Sequence, residues 1–237
     1  MTIRPPSPGL RGKDLGRSRP LAPLAPSLRF EREAWRAGAT WVAGVDEVGA
    51  GPLAGPVTAA CVALPAGSRF DWYRRVRDSK VVPEPQRVEL AALIQRDVPW
   101  AIGWASPEEI DRINIYQARK LAMLRAFEQL SVTPDAIISD ALPLPLPNVR
   151  PVIGGDALSV AVAAASIVAK VARDALMVEL CARYPGYGLC QHKGDPTPEH
   201  KRLLLRRGPS PVHRLSFAPV AQFGLPFAFD LQAGDAP

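Results

Sequence analysis

One run constrains this chain's fold more than any other: Trp41-Val-Ala-Gly-Val-Asp-Glu-Val-Gly-Ala-Gly-Pro-Leu-Ala-Gly-Pro56. An apolar, β-prone segment ends in the adjacent carboxylates Asp46 and Glu47. The chain then turns through Gly49, Gly51, Pro52, Gly55 and Pro56 into a second apolar run over 57–64. Apolar segments bounded by such turn residues read as strands. Burying an acid pair at a strand end is costly unless something positive meets it. Asp and Glu oxygens suit hard divalent cations, above all Mg²⁺ or Mn²⁺.

The chain of 237 residues is 47% hydrophobic and 22% charged, enough for one sizeable core. No apolar stretch is long enough to span a bilayer. No apolar h-region follows the N-terminal arginines, so a secretory signal is not expected. Cys61, Cys181 and Cys190 are odd in number and lack paired metal spacing. The expectation is therefore no disulfide, cysteines that fill space, and a cytoplasmic location. A net charge of +6 and a pI of about 9.5 suit a polyanionic partner without identifying one. Basic residues gather in the N-terminal arm, over 69–80 and over 201–207. The last two groups read either as solvated faces or, beside a carboxylate site, as phosphate contacts.

Residues 1–27, rich in Pro, Arg and Gly, are expected to form a disordered arm, with a domain over 28–220 and a tail over 221–237. Strands are expected at 41–48, 57–64, 100–105 and 136–139. Helices are expected at 30–36, 83–96, 115–130, 159–183 and 198–206. Ser106-Pro-Glu-Glu109 is a capping box opening a short helix to Ile113. The Pro-rich stretch 142–151 reads as a loop or edge, with a short extended piece at 152–153. Early strands followed by alternating helices and strands imply an α/β domain with a mixed sheet.

Four acids stand at element ends in apolar surroundings: Asp46, Glu47, Asp140 and Asp156. Three lie at carboxyl ends of expected strands, where sites gather in open α/β sheets. Asp156 precedes the long helix, where the helix dipole favours its ionised form. Neighbouring side chains on a strand point to opposite faces, so Asp46 and Glu47 share a site only if the strand ends or twists there. Two carboxylates about 4 Å apart repel by roughly 4 kcal/mol at an effective dielectric of 20. A joint cluster therefore implies divalent metal, and two ions would suit in-line phosphoryl displacement. Each acid taken alone reads better as a cap or a surface ion pair.

These residues resemble the ribonuclease HII family, the type 2 ribonucleases H. The likeness runs from about residue 28 to about 220, with its pieces in order. They are Val45-Asp-Glu-Val-Gly-Ala-Gly-Pro-Leu-Ala-Gly-Pro56, Arg77-Asp-Ser-Lys80, Gly155-Asp-Ala157, Ala163-Ala-Ala-Ser-Ile-Val-Ala-Lys170, Tyr184-Pro-Gly-Tyr-Gly188, His192-Lys-Gly194 and His213-Arg214. The resemblance implies a ribonuclease H-like α/β fold: a central mixed sheet, flanking helices and a C-terminal helical part. It implies a Mg²⁺- or Mn²⁺-dependent endonuclease that cuts RNA in RNA–DNA hybrids and at single ribonucleotides in duplex DNA. The products would carry 3′-hydroxyl and 5′-phosphate ends. Asp46, Glu47 and Asp140 would be the main metal ligands and Asp156 would complete the site. Gly49, residue 50, Gly51, Lys80 and residue 195 would touch substrate.

This sequence departs from the family pattern at that substrate wall. Ala50 stands where the family has Arg and Asp195 where it has Tyr. Gly154 replaces a usual Lys, and Asp140-Ala141 a usual Asp-Gly. In the family, the glycine segment and the Tyr recognise the ribose hydroxyl at an RNA-to-DNA junction. The expectation is that metal chemistry survives while junction discrimination is weakened or altered. The competing reading is a hybrid-binding protein with impaired catalysis on the same scaffold.

Lys170, four residues from Ser166 on one helix face, is expected to need an acidic partner. Asp174 is expected to anchor the helix, and Ala163–Ala165 to let it pack closely on the sheet. His192, His200 and His213 lack a zinc spacing and are expected in hydrogen-bonded structural roles. The stretch from Gln222 to Phe227 loosely resembles a sliding-clamp docking peptide. The expected assembly is a monomer.

Overall fold

The computed structural model describes residues 25–223, so most of the expected arm and tail lie outside the described residues. Helix α1 (Arg29–Arg36) leads into the antiparallel pair β1 (Trp41–Val48) and β2 (Val57–Pro65), followed by a 3-10 turn at Asp71–Arg74. Next come α2 (Glu84–Asp97), β3 (Trp100–Ala105), α3 (Pro107–Ile113), α4 (Ile115–Glu128), β4 (Ala136–Asp140) and β5 (Val149–Val152). The chain continues through α5 (Gly155–Leu158), the long α6 (Val160–Arg183), α7 (Leu189–His192), α8 (Pro198–Arg207) and α9 (Ala218–Ala221). The strands form one mixed sheet in the order β3-β2-β1-β4-β5, with β1 antiparallel to β2 and parallel to β4.

Register decides what each face carries. Ala60, Val62 and Leu64 of β2 pack with α2 and α6, whereas Ala59, Cys61 and Ala63 pack with α3 and α4. Small residues let both layers come close. A Cβ on Gly44 would run into the α6 backbone at Ala161 and Val162, and one on Gly103 into the α4 backbone at Ala122 and Ala126. The alanines at the start of α6 are fully buried, as their pattern implies. The N-terminus of α6 is held by Ser159 and by a buried acid from α1. Oε1 of Glu31 accepts from Ser159 Oγ at 2.6 Å and from the Ala161 N–H at 2.9 Å. A carboxylate there meets both the unpaired amides and the positive end of the helix dipole. The capping box at Ser106 and Glu109 is present.

One reading is sharpened, four short turns join the expected elements, and one expectation is corrected. The stretch read as a loop or edge, with an extended piece after it, carries the edge strand β5, which runs parallel beside β4 and lets Pro151 sit opposite Ser139. The turns at Asp71–Arg74, Gly155–Leu158, Leu189–His192 and Ala218–Ala221 are each four residues long. Segments that short carry no readable helical period. Finally, Cys181 and Cys190 form a disulfide between α6 and α7, leaving Cys61 free and buried. The odd cysteine count could not reveal it, because the turn through Gly186 and Gly188, both at positive φ, folds α7 back onto α6. No helix among the described residues is long and apolar enough to cross a membrane.

Candidate active site

Strands β1 and β4 run parallel, and their pairing stops at Val45 and Ser139. Beyond that point the edge of β1 opens into a cleft of about 490 Å³. It is lined by Asp46, Glu47, Asp140 and Asp156, by the turn Gly49-Ala50-Gly51, and by Lys80 and Asp195. Every residue expected at the site therefore borders one cleft. Ser79, Arg119, Ser166, Lys170 and Arg173 border it as well.

The strand neither ends nor breaks at the acid pair. Asp46 stays in register with Ala60, on the α6 face, and Glu47 with Ala59, on the α4 face. They flank the open β1 edge from opposite sides, with Asp140 arriving from β4. Asp46 Oδ1 accepts the Glu47 N–H at 2.8 Å. Burial, then the charges of Glu47 and Asp140, push the Asp46 carboxyl well above the usual range, with the nearby Ser166 hydroxyl opposing. Glu47 Oε1 accepts from Arg119 Nε at 2.6 Å and lies 2.6 Å from Nη2 in the same ion pair. Burial still pushes Glu47 up to about 7, and its Oε2 is buried without a hydrogen-bond partner.

Asp140 Oδ1 accepts the Gly155 N–H at 2.7 Å, tying the end of β4 to α5. Asp156 corrects the dipole expectation. Helix α5 is a single turn, and burial with Asp78 and Asp140 pushes the Asp156 carboxyl up while Lys80 opposes. Among the described residues, no three His, Cys, Asp or Glu side chains converge closely enough to enclose an ion as they stand. One oxygen each of Asp46, Glu47 and Asp140 is committed to a protein donor, which holds the groups apart. The donor set nevertheless fits a hard divalent cation. It offers only carboxylate oxygens, one of them orphaned, and at Asp46 the neighbouring carboxylates raise the group with no cation of the described residues beside it to offset them.

The facing wall is built by two arginines whose roles the sequence did not reveal. Arg173 donates from Nε to Pro56 O, from Nη1 to Lys193 O and from Nη2 to Ala54 O, at 3.1–3.2 Å. Arg214 donates from Nε to Gly55 O, from Nη1 to Ala50 O and from Nη2 to Gly49 O, at 2.6–3.1 Å. Both are buried. Burial lowers both pKa values and pushes Arg214 down to about 9, while the charge of Asp195 supports both guanidiniums. Asp195 thus faces buried cations, a partner its place in the sequence did not suggest. Arg119 was also missed, being an arginine in a helix with nothing in the sequence to mark Glu47 as its partner.

Lys170 pairs with Asp174 at 2.7 Å, and Asp174 lies 3.7 Å from Arg87, the structural roles expected of both. Ser166 Oγ donates to Ser79 Oγ. Of the clamp-like stretch, Gln222 and Phe223 are described. Gln222 donates to Pro219 O, and Phe223 packs beside Leu53, Leu204 and Val220. Residues 224–227 lie outside the described residues.

The profile of the family "Ribonuclease HII" matches residues 43–220. The chain belongs to the ribonuclease HII family. It is 53% identical over 204 residues to the ribonuclease HII of Myxococcus xanthus, covering 84% of this chain and 69% of that one. It is 50% identical over 192 residues to the ribonuclease HII of Moorella thermoacetica, covering 79% and 91%. Ribonuclease H2 from Pyrococcus horikoshii superposes with a TM-score of 0.67 at 25% identity, over 77% of this chain and 96% of that one. The RNase HII of Archaeoglobus fulgidus, solved in a complex with PCNA, gives 0.62 at 26% identity over 74% and 94%. The Mn²⁺ complex of Bst-RNase HIII shares the fold at 0.58 and 20% identity. As a member of that family the chain is an endoribonuclease acting on RNA–DNA hybrids, with divalent-metal dependence, and its mixed-sheet α/β fold is that of the ribonucleases H.

Proposed function

We propose that hybrid cleavage proceeds at the acid cleft by in-line displacement, leaving 3′-hydroxyl and 5′-phosphate ends, and that it extends to single ribonucleotides in duplex DNA. The observation carrying this reading is the meeting of Asp46, Glu47, Asp140 and Asp156 from β1, β4 and α5 in one cleft. Asp46, Glu47 and Asp140 would hold the divalent cations, and Asp156 would complete the set. Two such ions, Mg²⁺ or Mn²⁺, would supply an activated water and charge neutralisation at the leaving oxygen. The chain's own residues do the rest. Arg119 keeps Glu47 oriented through the Nε hydrogen bond and the ion pair. Lys80, exposed at the rim, attracts the phosphate backbone.

Recognition at the junction differs from the family pattern in this chain. Ala50 offers backbone but no guanidinium, and Asp195 offers no ring on which a base could stack, an interaction typically worth about 1–3 kcal/mol. The proposed consequence is cutting along long hybrids with altered or weakened preference for a lone ribonucleotide. Cleavage mapping in Mg²⁺ and in Mn²⁺ tests both parts, using one duplex with a single ribonucleotide, one long hybrid, and Asp46→Asn as control. Strong, strictly junctional cutting would refute altered recognition. Hybrid binding without cleavage would support the catalytically impaired alternative. The double change Ala50→Arg with Asp195→Tyr is expected to raise single-ribonucleotide cutting by roughly tenfold, the rate equivalent of about 1.4 kcal/mol.

A further inference from the structure

The three histidines carry no part of the proposed chemistry, yet their ring nitrogens form an ordered chain. The backbone N–H of Ser210 donates to His213 Nδ1 at 3.0 Å, so that nitrogen must be the bare acceptor. The Ser210 hydroxyl points to the same nitrogen at 2.8 Å. At the other end His200 Nδ1 lies 2.9 Å from Asp195 O. A carbonyl only accepts, so His200 carries its proton on Nδ1. The two ends independently fix the middle. His213 Nε2–H donates to the bare Nε2 of His200 across 3.1 Å. Every site on both neutral rings is used, with one consistent direction from Ser210 to Asp195. His192 is ordered likewise, accepting the Gly194 N–H on Nδ1 at 3.1 Å and donating from Nε2 to Tyr187 O at 2.7 Å.

This chain ends on the loop that faces the Gly49-Ala50-Gly51 turn. The turn is stitched to both segments the chain spans. Leu53 N–H donates to Gly194 O, Gly55 N–H to Val212 O and Arg214 N–H to Leu53 O, at 2.8–2.9 Å, and Ala54 bridges to His213. A Cβ on Gly194 would strike the Ala54 carbonyl, so the loop cannot drift inward. Nor is the loop relaxed by itself, since Lys193 holds φ 52 and Gly194 φ 89. A non-glycine residue in that region persists only where its surroundings enforce it.

We propose that His200 and His213 are positioning residues. Their directed, neutral hydrogen-bond relay holds residues 193–195 and, through 212–214, the 49–51 turn at the spacing a nucleic-acid strand needs in the cleft. A second proton on either ring breaks the relay. On His213 Nδ1 it would face the Ser210 N–H, and on His200 Nε2 it would face the His213 N–H. The groups around the pair reinforce neutrality. Burial lowers both pKa values, and His192 disfavours charge on both rings, as His200 does on His213; against this stand the backbone of Asp195 and Gly194 and the Asp195 carboxylate at His200, and the backbone of Ser210 at His213. Arg214 adjoins His213 in the chain, and the ring of Tyr187 lies 4.9 Å from the His213 ring.

The inference rests on hybrid cleavage at the acid cleft, and the tests separate the two. Long-range ¹H–¹⁵N spectra of the intact chain at pH 7 should show His200 as the Nδ1–H tautomer and His213 as the Nε2–H tautomer, both neutral. Reversed tautomers or a charged ring would overturn the relay whether or not the enzyme cuts. His213→Leu should move the amide signals of Gly49, Gly51 and Asp195 and lower kcat/KM on a hybrid by roughly 10- to 100-fold, the scale of a misplacement of about 1 Å. His213→Gln, which keeps a donor toward His200, should recover most of that loss. A folded His213→Leu with unchanged amide signals and wild-type kcat/KM would reduce the pair to core packing. Failure of the wild-type chain to cut any hybrid would count against the cleft chemistry instead, leaving the spectra to decide the relay.

Discussion

On one wall of the cleft Glu47 leaves a buried oxygen without a partner, Asp46 sits among like charges and Ala141 holds a φ of 54. On the wall facing it, each guanidinium nitrogen of Arg173 and Arg214 ends on a backbone carbonyl, and both nitrogens of His200 and His213 have a partner of the right polarity. The first wall is left incomplete in charge and in backbone comfort. The second is over-determined. Such a division suits a hydrolase of a polyanion. Cation binding and phosphate chemistry need groups that the protein itself does not satisfy, whereas reading a strand needs walls that do not move.

The largest expected effect breaks the acid wall. Asp46→Asn should lower Mg²⁺-dependent hybrid cleavage by roughly 10³-fold or more. It should also hold or raise Tm, because it removes one charge from a repelling group. Full activity, or a sharp loss of Tm, would show that the acids serve the fold rather than the reaction. The opposite signature is expected on the other wall. Arg214→Met strips partners from the part-buried carbonyls of Gly49 and Ala50 and the buried one of Gly55 and should cost roughly 3–5 kcal/mol in urea unfolding, each orphaned group being worth about 1–3 kcal/mol. Arg119→Met sharpens the contrast, since Glu47 can answer by taking up a proton, and a far smaller loss is expected.

Acid should separate the walls next. The folded His213 is pushed down to about 4, below an unfolded value near 6.5, so the unfolded chain binds the extra proton first. Its contribution is complete above pH 6.5 and drains away as pH falls toward 4, by up to about 3 kcal/mol. Glu31 and Glu47 run the other way. Their folded values are raised, so their buried charge costs stability as pH climbs from about 4.5, and protonation relieves it. The urea midpoint at pH 7 minus that at pH 4.5, taken with its sign, should therefore be more positive in the wild type than in His213→Gln. Equal differences would mean that His213 is not held neutral.

The sequence exposed the acid wall better than the wall facing it, for a physical reason. Acids at the ends of apolar runs violate a local rule, and the violation is visible without coordinates. Strands β1 and β3 and helices α3 and α6 were likewise readable because period, caps and prolines agree. Arg173 lies in the middle of a helix and Arg214 in a loop, and their partners are backbone carbonyls, which every residue has. The tautomer order of the histidines depends on which groups fold around them, and no spacing in the chain records it. The Cys181–Cys190 link was hidden for the same reason, because an odd cysteine count says nothing about a turn that doubles back.

The smallest expected effect lies at the joint between β4 and the acid it carries. Ala141 follows Asp140 with φ 54, its N–H donating to Val152 O at 3.0 Å, while Leu142 N–H turns back to Asp140 O at 2.6 Å. A side chain in the left-handed region costs roughly 1–2 kcal/mol, which glycine avoids. Glycine in turn loses more freedom on folding, by roughly 0.5–1 kcal/mol. The difference favours Ala141→Gly by about 0.5 kcal/mol, to be read as a rise in the urea midpoint with an unchanged slope. Cleavage of a hybrid should hold within about twofold if the Gly155 N–H alone sets Asp140. If the strained turn helps aim that carboxylate, kcat should fall while stability rises. That split would mark Ala141 as a place where the acid wall trades stability for geometry.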